Sequence, residues 1–238
     1  MMSPYGEFLV DFERKHAGYT HRNDLRNTKA AIIVETRALF FLPKVIRNVM
    51  YFLGPEWNLH VLTGPMAYPF LVRSLAGWEV WVNVLPWNPD TLSAQDYNRF
   101  FATREFWTRL REPTVLIFQP DTILTGPGID DWLGWDYIGA PCGMLDELHY
   151  VVCGGLSLRS RDAMVACLER SVLAENEPED DFFTRNIRAI GGRIPNLATA
   201  ARFCLESVYR GQPLGVHGTD KFLHPLDLAR AVTAAIAY

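Results

Sequence analysis

Thr114-Val115-Leu116-Ile117-Phe118-Gln119-Pro120-Asp121 is a largely apolar run that ends abruptly in an amide, a proline and an acid. A short continuous run of β-branched and aromatic residues reads as a strand buried on both faces. Its last acid is then presented at a sheet edge, within reach of a ligand or metal. Ala30-Ala31-Ile32-Ile33-Val34 has the same character and stops at Glu35-Thr36-Arg37. Between these two runs lie Leu59-His60-Val61-Leu62 and the alternating Val80, Val82 and Val84, which predict two more strands.

Helical spacing fills the gaps. Val45, Ile46, Val49, Met50 and Leu53 follow Pro43 and are closed by Gly54-Pro55. A short helix is expected from Tyr68 to Leu75, and a longer one from Ser93 through Phe100, Phe101, Phe106 and Trp107 to Leu110. This alternation predicts an α/β fold, a mostly parallel sheet flanked by helices in a single domain. Ligands of such sheets sit outside the carboxyl ends of the strands. That rule puts Glu35, Thr36 and Arg37 on one rim with Gln119 and Asp121, although polar strand ends could equally just meet solvent.

The second half is less regular. Trp132, Leu133, Trp135, Tyr137 and Ile138 precede Gly139-Ala140-Pro141. A strand is expected from Val151 to Leu158, interrupted by Gly154-Gly155. Helices are expected from Arg161 to Leu173 and from Glu179 to Ile190, the latter ended by Gly191-Gly192. The predicted organisation is an N-terminal extension (1–29), one body (30–224) and an apolar C-terminal helix (225–238).

The chain has 238 residues, 49% of them apolar and 21% charged, which suffices for a sizeable core. A net charge of −4 without a basic stripe argues against nucleic acid as partner. Cys142, Cys153, Cys167 and Cys204 form no CxxC pair, as expected of reduced thiols in a cytoplasmic chain. Cys142, His149 and Cys153 match no compact zinc spacing. Met1 to His16 carries too many charges for a signal peptide, and Glu35, Arg37, Lys44 and Arg47 break the most apolar region, so no transmembrane segment is expected.

Five segments in order carry a resemblance: Gln119-Pro120-Asp121; Asp136-Tyr137-Ile138-Gly139-Ala140-Pro141; Gly154-Gly155-Leu156-Ser157-Leu158-Arg159-Ser160; Glu179-Asp180; and the late Gly215-Val216-His217. Together they resemble a group of uncharacterised glycosyltransferase-like proteins of GT-A type, over roughly residues 30 to 218. The resemblance implies a GT-A-like, Rossmann-like fold and an inverting transfer of a sugar from a nucleotide-diphosphate sugar, a UDP-sugar, to a glycan or other hydroxyl acceptor. It implies Mn2+ or Mg2+ held by Asp121 and His217, with Gln119 standing where the family motif has its first acid. Glu35, Thr36, Arg37, Gln119 and Asp121 would bind the donor. Asp180, with Glu179 beside it, would supply the general base, and Trp135, Asp136, Gly154 and Gly155 would line the substrate side. Glu206 closes a late Ala200-x-x-Phe203-x-x-Glu206 pattern and would support the site or face solvent.

Each residue has a plainer reading. Acids at a helix start interact well with its dipole, tryptophans mostly bury, a glycine pair in a strand is often a bulge, and a loop histidine is commonplace. A non-catalytic nucleotide- or sugar-binding module on the same scaffold is the alternative function, kept open by the neutral Gln119. A nucleotidyltransferase would show a Gly-rich phosphate loop after the first strand, and Glu35-Thr36-Arg37 offers none.

Overall fold

The computed structural model describes residues 4–85, 91–142, 150–207, 211–218 and 230. In chain order its helices are α1 (Pro4–Lys15), α2 (Leu42–Leu53), α3 (Tyr68–Ser74), α4 (Ala94–Phe101), α5 (Arg104–Arg109), α6 (Arg161–Arg170), α7 (Glu179–Ala189) and α8 (Leu197–Phe203). Its strands are β1 (Lys29–Glu35), β2 (Trp57–Thr63), β3 (Trp81–Val84), β4 (Thr114–Phe118), β5 (Thr122–Leu124), β6 (Tyr137–Cys142), β7 (Val151–Ser160), β8 (Cys204–Leu205) and β9 (Gly215–His217).

The main sheet has the order β3-β2-β1-β4-β7-β6. The first four are mutually parallel, β7 is antiparallel to β4, and β6 is antiparallel to β7. Alternate residues of the apolar strands feed opposite faces. Ala31, Ile33, Leu116 and Phe118 pack with α2 and with Tyr5, Phe8, Leu9 and Phe12, which form the buried stripe of α1. Ala30, Ile32, Val34, Val115 and Ile117 pack on the other face with Phe101, Trp107, Met164, Phe182 and Phe183. Burial on both faces is the reason these strands read as continuous apolar runs.

Three local expectations need correction. The helix expected over Ser93–Leu110 is two helices. Ser93 does cap the first by accepting from the Asp96 N–H, but the chain turns extended at Thr103. There the Trp107 indole donates to the Phe101 carbonyl at 2.7 Å, so packing of the aromatic cluster outcompetes one straight helix. The helix from Arg161 ends at Arg170 because Ser171 is extended, which leaves Val172 88% exposed. The strand at Val151 is not cut by Gly154-Gly155 but runs unbroken to Ser160. What breaks is its pairing with β6. From Gly139 to Pro141 on β6, two residues along, the partners on β7 run from Ser157 to Val152, five along. The extra residues form a bulge at Cys153–Leu156.

A second sheet, β5-β9-β8, is small but decides the geometry of the site. Pairing of β5 with β9 sets Thr122 opposite His217, and pairing of β8 with β9 sets Leu205 opposite Val216. Residues adjoining these pairs, Asp121 and Glu206, are thereby brought beside His217 although 85 residues separate them in sequence (206 − 121). Of the expected C-terminal helix, residues 225–238, all but Arg230 lie outside the described residues. Among the described residues no helix is long and apolar enough to cross a membrane.

Candidate active site

A cavity of about 600 Å³ opens beyond the carboxyl ends of β1 and β4. Glu35, Arg37, Gln119, Asp121, Gly154, Gly155, Glu179, Asp180, Glu206 and His217 all line it. Glu35 ends β1 and is buried. Its carboxylate accepts from the Arg37 backbone N–H at 2.8 Å and from the guanidinium at 2.8 and 2.7 Å, which folds Arg37 back over the rim. The carboxylates of Glu35 and Asp121 raise the pKa of Arg37, the hydrogen bond to Glu35 being the main cause.

The Gln119-Pro120-Asp121 turn is fixed from several sides. The Gln119 N–H donates to the Gly155 carbonyl at 2.9 Å, the Gly218 N–H to the Asp121 carbonyl at 3.2 Å, and the Tyr5 hydroxyl of α1 to the Pro120 carbonyl at 2.6 Å. His217 stands over this turn. Its Nε2 lies 3.0 Å from Gln119 Oε1 and 3.5 Å from Asp121 Oδ1, while Nδ1 lies 3.2 Å from Glu206 Oε1. Burial opposes the charged ring, but the hydrogen bonds to Cys153 and Glu206 and the charge of Asp121 raise its pKa to about 10. Oxygens stand at both ring nitrogens, an arrangement that favours the protonated ring.

The opposite wall is built by the start of α7. Glu179 makes a two-pronged pair with Arg159 of β7, at 2.7 and 2.8 Å, with the side chains 3% and 0% exposed. The guanidinium lies against the Tyr137 ring at 4.8 Å and near those of Phe101, Phe183 and Trp107, and it also binds Ser157 Oγ and the Gly154 carbonyl. This buried knot ties the bulge of β7 to the first turn of α7. Asp180 follows it into the cavity, 3.5 Å from the Gly154 N–H. Burial, and then the neighbouring Glu179 charge, raise the Asp180 carboxyl to about 6. Asp181 points away, to where Glu177 and Arg185 influence it.

The two glycines are explained by side chains of the protein itself. A Cβ on Gly155 would lie 2.0 Å from His217 Nε2, and one on Gly154 would lie 2.3 Å from Glu179 Oε1. Each glycine leaves room for a functional wall to close on the bulge.

Three of the expected site residues stand apart from the cavity lining. Thr36 is buried, and its hydroxyl accepts from the Leu92 N–H at 3.0 Å, which supports a neighbouring part of the wall. Trp135 packs against the core, and the Asp136 carboxylate accepts from the Arg193 N–H at 2.7 Å. Both precede β6, whose first residue pairs with Arg159 beside the start of β4, so they lie at the far end of the sheet from Phe118. Conversely, sequence reading did not single out Tyr97, gave Arg159 no role beyond its place in the 154–160 segment, and set Cys153 aside as a zinc ligand. A lone arginine after Gly-Gly-Leu-Ser-Leu in a strand was the available signal for a buried pair; nothing local marked Tyr97. Burial and the charge of Glu179 push the Tyr97 phenol up, so it lines the cavity as a neutral hydroxyl.

Asp121 Oδ1 and Gln119 Oε1 lie 3.5 and 3.0 Å from His217 Nε2, and donors of these kinds could hold a divalent cation. No curated protein sequence matches the chain. Among solved structures, mouse xyloside xylosyltransferase 1 in its apo form is similar, with a TM-score of 0.57 and 12% identity over 83% of this chain and 100% of that one. At that identity the likeness concerns the fold, which is GT-A-like. Residues 80–217, more than half of the chain and most of the cavity wall, match the family described as "Protein of unknown function (DUF5672)", and the chain belongs to that family.

Proposed function

We propose that the protein is an inverting glycosyltransferase that moves a sugar from a nucleotide-diphosphate sugar, a UDP-sugar, to a hydroxyl of a glycan or similar acceptor. The observation that carries this reading is the two-walled cavity. Asp121, Gln119 and His217 face it from one side and an acid of raised pKa, Asp180, from the other. Its volume of about 600 Å³ suits a ligand of that size.

Asp180 takes the proton of the acceptor hydroxyl as that oxygen bonds to the anomeric carbon, and the bond from that carbon to the diphosphate oxygen breaks. Arg37 and the rim of β1 attract the diphosphate. Asp121 and His217, helped by Gln119, would hold Mn2+ or Mg2+, whose chemistry is to neutralise charge on the departing diphosphate. Glu179 acts as a positioning residue: locked to Arg159, it holds the first turn of α7 and so the direction of Asp180.

The test is hydrolysis and transfer from a panel of UDP-sugars with and without Mn2+. Activity lost by at least about a hundredfold in Asp180→Ala and Asp121→Ala is expected. Full activity in chelator would remove the cation from the reading. The bond between Gln119 Oε1 and His217 Nε2 favours a second reading, a module that binds nucleotide or sugar without turnover. Calorimetric binding with no turnover across many donors and acceptors would select it.

A further inference from the structure

Cys153 from the bulge of β7, Glu206 after β8 and His217 at the end of β9 converge on the side of the imidazole that faces away from Asp121. Cys153 Sγ lies 3.0 Å from Glu206 Oε1 and 3.5 Å from His217 Nδ1, and Nδ1 lies 3.2 Å from the same Oε1. All three are buried, and their donor atoms group as a cation's ligands would. A tetrahedral Zn2+, bonded at about 2.3 Å to thiolate and about 2.0 Å to nitrogen or oxygen, sets edges of roughly 3.5 Å for S···N, 3.3 Å for N···O and 3.5 Å for S···O. Two edges of the observed triangle already have these lengths, and the third is short by about half an ångström.

We propose that Cys153, Glu206 and His217 Nδ1 form a binding site for Zn2+, and that its occupation closes the Asp121 side of His217 to a second cation. A thiolate with an imidazole and one carboxylate prefers Zn2+ to the hard Mn2+ and Mg2+. On binding, the thiol proton and the Nδ1 proton both pass to solvent, and Nδ1 gives the lone pair so freed to the metal. A neutral imidazole has one such lone pair, so the remaining proton stays on Nε2 and donates to Gln119 Oε1. Nε2 is then no ligand for Mn2+. The exclusion rests on the cation-assisted reading above; the Zn2+ site itself does not.

Co2+ is the probe, because a cobalt–thiolate bond absorbs in the near ultraviolet. Titration of the full chain under reducing conditions is expected to give this band at stoichiometric cobalt and to lose it when Zn2+ is added. The band should persist in Asp121→Asn, vanish in Cys153→Ser, and require at least about tenfold more cobalt in Glu206→Gln. A wild-type protein with no band, or a Cys153→Ser protein that keeps it, overturns the site. If Cys153→Ser does not fold, X-ray absorption at the zinc edge of the wild type decides. One sulfur among nitrogen and oxygen ligands supports the site, and a shell without sulfur overturns it. Should Mn2+-dependent transfer be found, Zn2+ is expected to reduce it at least tenfold, and transfer indifferent to saturating Zn2+ overturns the exclusion. A cobalt band without any transfer supports the site while counting against the glycosyltransferase reading, so the two failures are told apart.

Discussion

At the scale of single residues, the site depends on space as much as on charge. Gly155 has ordinary backbone angles, yet a methyl group there would occupy the place of the His217 ring. Gly155→Ala is expected to cost about 1–3 kcal/mol through overpacking and to abolish any Mn2+-dependent thermal shift by nucleoside diphosphates. A variant that kept the full shift would mean the ring can move without consequence. Asp180 gives a pH prediction. Its folded pKa of about 6 lies above the usual 3.8, so the stability it contributes is present below about pH 4 and is lost as pH rises through 6. Asp180→Asn should therefore gain stability over wild type between pH 4 and 7, on the order of 1–2 kcal/mol once partial exposure is discounted. Activity should fall in that variant, and in the wild type it should rise with an apparent pKa near 6. Denaturant midpoints at the two pH values and a pH–rate profile check both halves; a flat difference would show that Asp180 is not held in a desolvated place.

At the scale of elements, the bulge of β7 and the first turn of α7 behave as one unit through Arg159 and Glu179. Removing one partner leaves the other as an uncompensated buried charge, so Glu179→Ala should destabilise the fold by about 3–5 kcal/mol, measured by urea unfolding. Glu179→Gln keeps a hydrogen-bonding shape and should cost less. Equal, small losses in both would mean the pair is hydrated. The strand ends at Glu35 and Asp121 were legible in the sequence because buried parallel strands show as unbroken apolar runs. The bulge was legible only as a glycine pair, because a strand's pairing partner is not written in its own residues. Trp135 and Asp136 illustrate the same limit. They directly precede β6, but the direction of that strand carries them to the opposite end of the sheet.

At the scale of the whole molecule, one sheet divides two cores, and each central strand contributes to both. Shared strands couple the cores, so unfolding should be a single transition coincident by circular dichroism and tryptophan fluorescence; two separated transitions would contradict that coupling. The N-terminal helix also reaches the site. Tyr5 of α1 bonds the Pro120 carbonyl across 115 residues. Tyr5→Phe is expected to cost about 1 kcal/mol and to weaken nucleotide binding by loosening the Gln119–Asp121 turn. Unchanged stability and binding would show that α1 only covers the core.

The sequence by itself determined the α/β architecture, the strand whose end carries Asp121, and the helix start that carries Asp180, because hydrophobic periodicity and turn chemistry are local properties. Only the tertiary structure decided which of those ends share a cavity, that His217 turns one nitrogen to Asp121 and the other to Cys153 and Glu206, and that Arg159 rather than a ligand fixes Glu179. Those outcomes depend on strand pairing and bulge geometry between distant segments, and no local stretch of the chain encodes them alone.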